Sequence, residues 1–242
     1  MKYRNSTTSQ TNTTQSGFTI VELMIATAVF SLVLLVILYG VLSFTHAYYS
    51  GVNASATQND ARTIVNAIAQ SVEFSGNTII PSADVSGSTY YFCVGGNTYF
   101  YNVGSMYNGP SPSLGDPGLY MEPSICTKTP NYSDVKGKEL LGANMRVTYL
   151  SLAQSSTNAR LYDIAVGLAY GYGDLLCNNS KSGTGSTGGC YSSDPSYNQS
   201  SSVVGTNADD VVCKQITGSQ FCAHAGLSTT VSLRVSNGAL SP

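Results

Sequence analysis

Six cysteines, two histidines and one acid set inside an apolar run are the residues of this chain from which chemistry could come. The cysteines are Cys93, Cys126, Cys177, Cys190, Cys213 and Cys222, an even count, all downstream of the apolar run. No C-x-x-C pair occurs and the chain has only His46 and His224 beside them, so disulfide bonding leads and metal binding trails. Gly183, Gly185 and Gly188 fit G-x-G-x-x-G, but no strand precedes them and no helical pattern follows, which leaves a Ser/Gly loop. Asn207, Asp209 and Asp210 have the oxygens for calcium without the EF-hand spacing, and read as a polar turn. His224 has no nucleophile elbow or zinc spacing around it. The chain therefore reads as non-enzymatic, with no catalytic residue, cofactor or metal expected.

The acid is Glu22. From Phe18 to Leu42 the chain runs 25 residues with no other charge. As a helix that is about 37 Å, enough to cross a bilayer. An ionisable group in such a helix is costly and by default functional. Upstream, Met1–Gly17 is rich in Ser, Thr, Asn and Gln, with Lys2 and Arg4 and no acid. That bias keeps the tail cytoplasmic and puts everything after Leu42 outside. A secretory signal would have an apolar region of about 7–15 residues and a small-x-small cleavage site after it. This run is too long and lacks such a site. A plain signal anchor with Glu22 near the interface is the bland alternative.

Gly17-Phe18-Thr19-Ile20-Val21-Glu22-Leu23 resembles the N-terminal signal of the type IV pilin family, which includes minor pilins and type II secretion pseudopilins. The likeness spans Gly17 to roughly Ala47. It implies that a prepilin peptidase cuts between Gly17 and Phe18 and that Phe18 is then methylated. It also makes Glu22 the family's fifth-position glutamate, pairing with the terminal amine of a neighbouring subunit. Each role has a physical basis. Gly17 lets a protease subsite grip the backbone closely. The freed amine, with a reference pKa near 7.7–8.0, is largely charged at neutral pH. A half-matched ion pair in a low-dielectric setting is strongly destabilising, so correct axial register is selected. The implied partners are other pilin subunits in a helical filament, the prepilin peptidase, the inner-membrane assembly platform and, before assembly, the lipid bilayer.

Elements must position these residues. Ala61, Val65, Ile68 and Val72 recur on one helical face, opposite Gln58, Asn59, Arg62, Asn66, Gln70 and Glu73. Gly76 suits a C-cap and Pro81 a stop, so the spacing predicts one helix from Phe18 to Ser75. Beyond it the period switches to two. Strands are predicted at Thr89–Val94 and Thr98–Val103 around Gly95-Gly96-Asn97, and at Met145–Leu152, Leu161–Tyr170 and Leu227–Val235. In the third, Val147, Tyr149 and Ser151 share a face. The expected fold is α+β: a long N-terminal helix, membrane half plus amphipathic half, packed on an antiparallel sheet of four or five strands. Gly104–Gly142 and Gly171–Gly226 read as long irregular, disulfide-tied loops. Cys93–Cys126 would tie the first hairpin to its following loop. Setting Ile164 opposite Val235 brings Cys177 opposite Cys222 and leaves Cys190 for Cys213; the local pairs Cys177–Cys190 and Cys213–Cys222 remain open.

Charged residues are only 10 % of the chain, against about 25 % in ordinary domains. Of eleven basic residues, removal of Lys2 and Arg4 leaves nine against thirteen acidic, a formal charge of −4. That is not the footprint of a nucleic-acid binder, the small Lys128, Lys136 and Lys138 cluster notwithstanding. The expected organisation is a leader over 1–17, an assembly helix over 18–45 and an extracytoplasmic domain over 46–242. The function that follows is a structural subunit, a minor pilin or pseudopilin, with a tip adhesin contacting a surface glycan or protein as the alternative. The large loops look more like the longer J/W-type minor components than a major pilin. It would sit in the cytoplasmic membrane, N-terminus inside, and move to a surface filament on assembly.

Overall fold

The computed structural model describes residues 17–76, 79–86, 89–107, 118–123, 137–178, 204–214 and 218–234. In chain order the elements are α1 (Ile20–Glu73), β1 (Ile79–Ser86), β2 (Thr89–Val94), β3 (Asn97–Asn102), β4 (Leu119–Pro123), β5 (Lys138–Glu139), β6 (Met145–Gln154), β7 (Leu161–Tyr170), β8 (Leu176–Asn178), β9 (Val211–Cys213) and β10 (Ala223–Ser232). The chain divides into two compact units at Thr45/His46.

In the first unit every residue from Ile20 to Phe44 is exposed. The helix there is apolar on all faces, with a mean hydropathy of 2.7 over its best window. Such a stretch is stable only in lipid or among other helices. Two of its hydroxyls bond back to the helix: Thr27 Oγ1 donates to Met24 O (3.0 Å) and Ser31 Oγ to Thr27 O (2.8 Å). Internal satisfaction is what a bilayer requires of polar groups.

In the second unit α1 buries Thr57, Ala61, Ile64, Val65, Ile68 and Val72. The four apolar positions read from the sequence are among them. Thr57 survives burial because its hydroxyl donates to Asn53 O at 2.8 Å. Against this face pack Phe92, Val94, Tyr99 and Tyr101 of β2 and β3, with Val147, Leu150, Leu152, Ile164, Val166 and Leu168 of β6 and β7. Burying each large aliphatic chain contributes about 1.5–3 kcal/mol. Three residues past the helix the chain turns at Gly76, whose φ is 70°. Gly95 and Gly96 both have positive φ, 59° and 88°, and form the two-residue hairpin turn between β2 and β3. A Cβ on Gly95 would also lie 3.1 Å from Ser75 Cα, so the turn abuts the end of the helix.

The fold class is the expected one, but the strands are more numerous and form three antiparallel sheets among the described residues. Their orders are β1-β2-β3-β4-β5, β10-β7-β6 and β8-β9. The first two meet at β6. Val103 bridges Val147, Gly104 N–H donates to Val147 O (2.8 Å), and Tyr101 OH donates to Leu150 O (2.9 Å). Burial first of all drives the Tyr101 phenol up to about 12. The stretches read as irregular hold β4, β5, β8 and β9, strands of two to five residues that are too short to show a period. Pro81 lies inside β1, where the pairing with β2 shifts register between Ile80 and Ala83. Bulges are where a strand tolerates proline.

Two readings of register are corrected. In β6 the pairing steps from Val147–Leu168 to Tyr149–Gly167, leaving Thr148 as an extra residue. Past that bulge the faces exchange, so Leu150 and Leu152 are buried where alternation alone kept Tyr149 and Ser151 beside Val147. Between β7 and β10, Ile164 lies opposite Thr229, Val166 opposite Leu227 and Leu168 opposite Ala225. The parity was right and the phase was off by six residues. The strand starts earlier than expected because the small Ala223 and Ala225 fill buried positions that only large apolar residues would have signalled. Val235 lies outside the described residues.

Candidate processing and assembly site

Gly17, Phe18 and Thr19 precede the first helical turn and are exposed, Phe18 by 85 %. The helix starts at Ile20 because Thr19 and Glu22 cap it reciprocally. Glu22 Oε2 accepts from Thr19 N–H and Thr19 Oγ1, both at 2.9 Å, while Glu22 N–H donates to Thr19 Oγ1 at 3.3 Å. This is a capping box, satisfying N-terminal donors that a helix otherwise leaves orphaned. Negative charge is also favoured at that end of the helix dipole. The Thr-x-x-Glu spacing was in the sequence as a helix-start signal; attention to Glu22 as a charge hid it.

The arrangement has two chemical consequences. The Gly17–Phe18 peptide lies outside the helix and is exposed, so it is reachable by a protease. After a cut there, the new amine would stand one residue before the cap. Oε1 of Glu22 takes part in none of the capping bonds and can accept from a cation while Oε2 holds the helix start.

The cysteines are positioned by the small sheet. Cys213 closes β9 and is bonded to Cys222, which precedes β10, with Cα atoms 5.8 Å apart. The nested pairing of Cys177 with Cys222 and Cys190 with Cys213 is thereby overturned: the register that suggested it is displaced by six residues. Cys177 instead lies in β8 opposite Val212. Cys93 and Cys177 are each disulfide-bonded. Cys126 and Cys190 fall outside the described residues, and with them the Cys93–Cys126 and Cys177–Cys190 pairings. The same is true of Gly183, Gly185, Gly188, Lys128 and Lys136.

Closing the loop at Cys213–Cys222 seats a 3-10 turn, Ser219–Phe221, on α1. Asn53 Nδ2 donates to Gln220 O at 3.0 Å, and the Phe221 ring lies 5.8 Å from that of Tyr49. Tyr48 stands edge-on to Tyr49 at 6.0 Å. Gly171, with φ 106°, passes beneath: a Cβ there would come 2.5 Å from Phe221 O.

Remaining candidates take structural places. His46 and His224 are exposed. Asp210 Oδ2 accepts from Thr206 N–H and Oγ1 (2.6 Å each) and from Asn207 N–H (2.7 Å), the polar turn expected there. Slight burial raises the Asp210 carboxyl, but bonds from Thr206 and Asn207 outweigh it and leave the group below its ordinary value. Among the described residues no three His, Cys, Asp or Glu side chains are grouped to hold a metal.

No curated protein and no solved structure matches the chain. The prokaryotic N-terminal methylation motif matches residues 12–38, which takes in Gly17, Phe18, Thr19 and Glu22. With the exposed apolar helix that follows, this gives the chain a type IV pilin-like class III signal, the mark of a prepilin peptidase substrate anchored in the membrane and assembled with other pilins at the cell surface.

Proposed function

We propose that this protein is a non-catalytic filament subunit, a minor pilin or pseudopilin, cut between Gly17 and Phe18 and locked into register by Glu22. The observation that carries the reading is an apolar helix exposed on every face, with one acid at its start. That surface demands neighbours, and the acid selects which axial offset they adopt. In the filament Glu22 meets the Phe18 amine of an adjacent subunit through the oxygen its cap leaves over. An offset by one turn strands both charges in an apolar environment and is rejected. The helix is drawn from the bilayer through the assembly platform, which exchanges lipid for neighbouring helices.

The test is to shear surface filaments from cells carrying the wild-type chain or Glu22→Gln. Equal membrane levels with the variant missing from the sheared fraction support the reading. Equal incorporation of Glu22→Gln contradicts it.

A further inference from the structure

β10 is the outermost strand of its sheet, whose order is β10-β7-β6. It pairs with β7 along its whole length without a register shift. A bond just past its end fixes which way its backbone groups point: Leu233 N–H donates to Arg160 O at 3.0 Å. Antiparallel ladders alternate, so Leu227, Thr229 and Val231 bond to β7. The N–H and C=O groups of Ser228, Thr230 and Ser232 point the other way, and these three residues are exposed. Among the described residues no strand pairs with that outer edge. Natural sheets blunt an open edge with lysine, proline or a bulge. From Cys222 to Leu233 there is no Asp, Glu, Lys, Arg or Pro, and β10 has no bulge.

The residue order along this edge points to its occupant. Leu227-Ser228-Thr229-Thr230-Val231-Ser232-Leu233 reads nearly the same in both directions about Thr230. Its one mismatch, Thr229 against Val231, is between two β-branched side chains. We propose that the edge pairs with the same edge of a second copy of the chain, antiparallel, on a two-fold axis at Thr230. Across the axis Thr230 meets its counterpart, Ser228 meets Ser232, Thr229 meets Val231 and Leu227 meets Leu233. Hydroxyl then faces hydroxyl and leucine faces leucine, pairings that stabilise an antiparallel ladder. Leu227 and Leu233 are partly buried against the core of their own copy, so a leucine from the second copy extends that core. Charge agrees: the paired segment carries none, and one copy does not repel the other. The result is a six-stranded sheet with a self-complementary interface. It is small beside a standard interface of about 1,600 Å², so the pair is weak and forms at high local concentration. The inference concerns the second unit alone and does not rest on filament incorporation.

Cysteine cross-linking reads the register directly, because a disulfide forms only where Cα atoms lie within about 7 Å. Thr230→Cys, Ser228→Cys, Ser232→Cys and, on the exposed side of α1, Gln70→Cys are made separately in the full chain. Each is concentrated in a detergent extract of membranes and oxidised mildly, and peptide mapping verifies the Cys213–Cys222 bond. Expected is a covalent dimer from Thr230→Cys and none from the other three. A dimer should return when Ser228→Cys and Ser232→Cys chains are mixed. Adding Ser228→Pro to Thr230→Cys should abolish the adduct. The N–H it removes faces outward, so pairing with β7 survives while the edge is blocked. Where an added thiol displaces the Cys213–Cys222 bond, a benzophenone amino acid at position 230 reads the same contact. Absence of the adduct at position 230, or its persistence with Ser228→Pro, overturns the proposal. So does a dimer from Ser228→Cys, Ser232→Cys or Gln70→Cys alone, which shows another register or random collision. An adduct of any other mass assigns the edge to a different protein and overturns it as well.

Discussion

Glu22 holds two jobs at once, and its neighbour Thr19 allows them to be separated. As the last residue of the Thr19-x-x-Glu22 capping box it fixes where the helix starts; as a charge it meets an amine. Gln can serve the first job and not the second. Glu22→Gln should therefore leave amide exchange over Ile20–Leu23 unchanged in micelles yet abolish filament entry, whereas Glu22→Ala should lose both. Thr19→Ala should fray the same turn by about 0.5–2 kcal/mol while retaining the charge and most of the assembly. A Glu22→Gln chain with a frayed helix start would refute this division. Gly17, Phe18 and Glu22 drew attention in the sequence because they stand together at the edge of an apolar run, and the methylation motif covers all three. The cap was legible too, as Thr-x-x-Glu, but the same residues already carried another meaning.

At the scale of elements, long periodic segments were readable and short ones were not. The buried face of α1 followed from spacings of three and four, and Ile68, fully buried, should cost about 2–5 kcal/mol when cut to Ala; urea unfolding of the extracytoplasmic unit measures it. The faces of β6 could not be read because the bulge at Thr148 is fixed by partners remote in sequence: Gly205 N–H donates to Thr148 O at 2.9 Å. The β7–β10 pairing shows the same limit, since alternation fixes which face a residue takes and leaves the sliding of one strand on another free. Disulfide pairing inherited that freedom. Non-reducing proteolysis and mass spectrometry should recover a peptide joining Cys213 to Cys222; a Cys177–Cys222 peptide would contradict the observed register. Replacing both Cys213 and Cys222 by Ser should destabilise the unit by about 2–4 kcal/mol.

For the molecule as a whole, two partly buried carboxyls, Glu139 and Asp60, contribute to the response to pH. Glu139 Oε1 accepts from the N–H groups of Leu119 (3.0 Å), Leu140 (2.9 Å) and Leu141 (2.8 Å), tying β4 to the chain that enters β6. Burial still pushes this carboxyl above its ordinary 4.5, with the backbone and Tyr120 bonds only partly offsetting it. Asp60 on α1 is raised from 3.8 by burial as well, against a bond from Gly142 N–H. Such acids hold a proton more tightly folded than unfolded. Their contribution is full below the ordinary values and is lost as pH rises through the folded ones. The melting temperature of the extracytoplasmic unit should therefore rise as pH falls from neutral towards the ordinary carboxylate range, and Glu139→Gln should flatten that slope. A melting temperature that falls over the same range would contradict the assignment. None of this bears on whether the chain is a filament subunit, and that claim has a direct test. Surface filaments are sheared from cells, and the N-terminus of this chain within them is read by mass spectrometry. The account predicts a terminus at Phe18 bearing a methylated amine. A chain that begins at Met1, or at a residue well past Phe18, would contradict it.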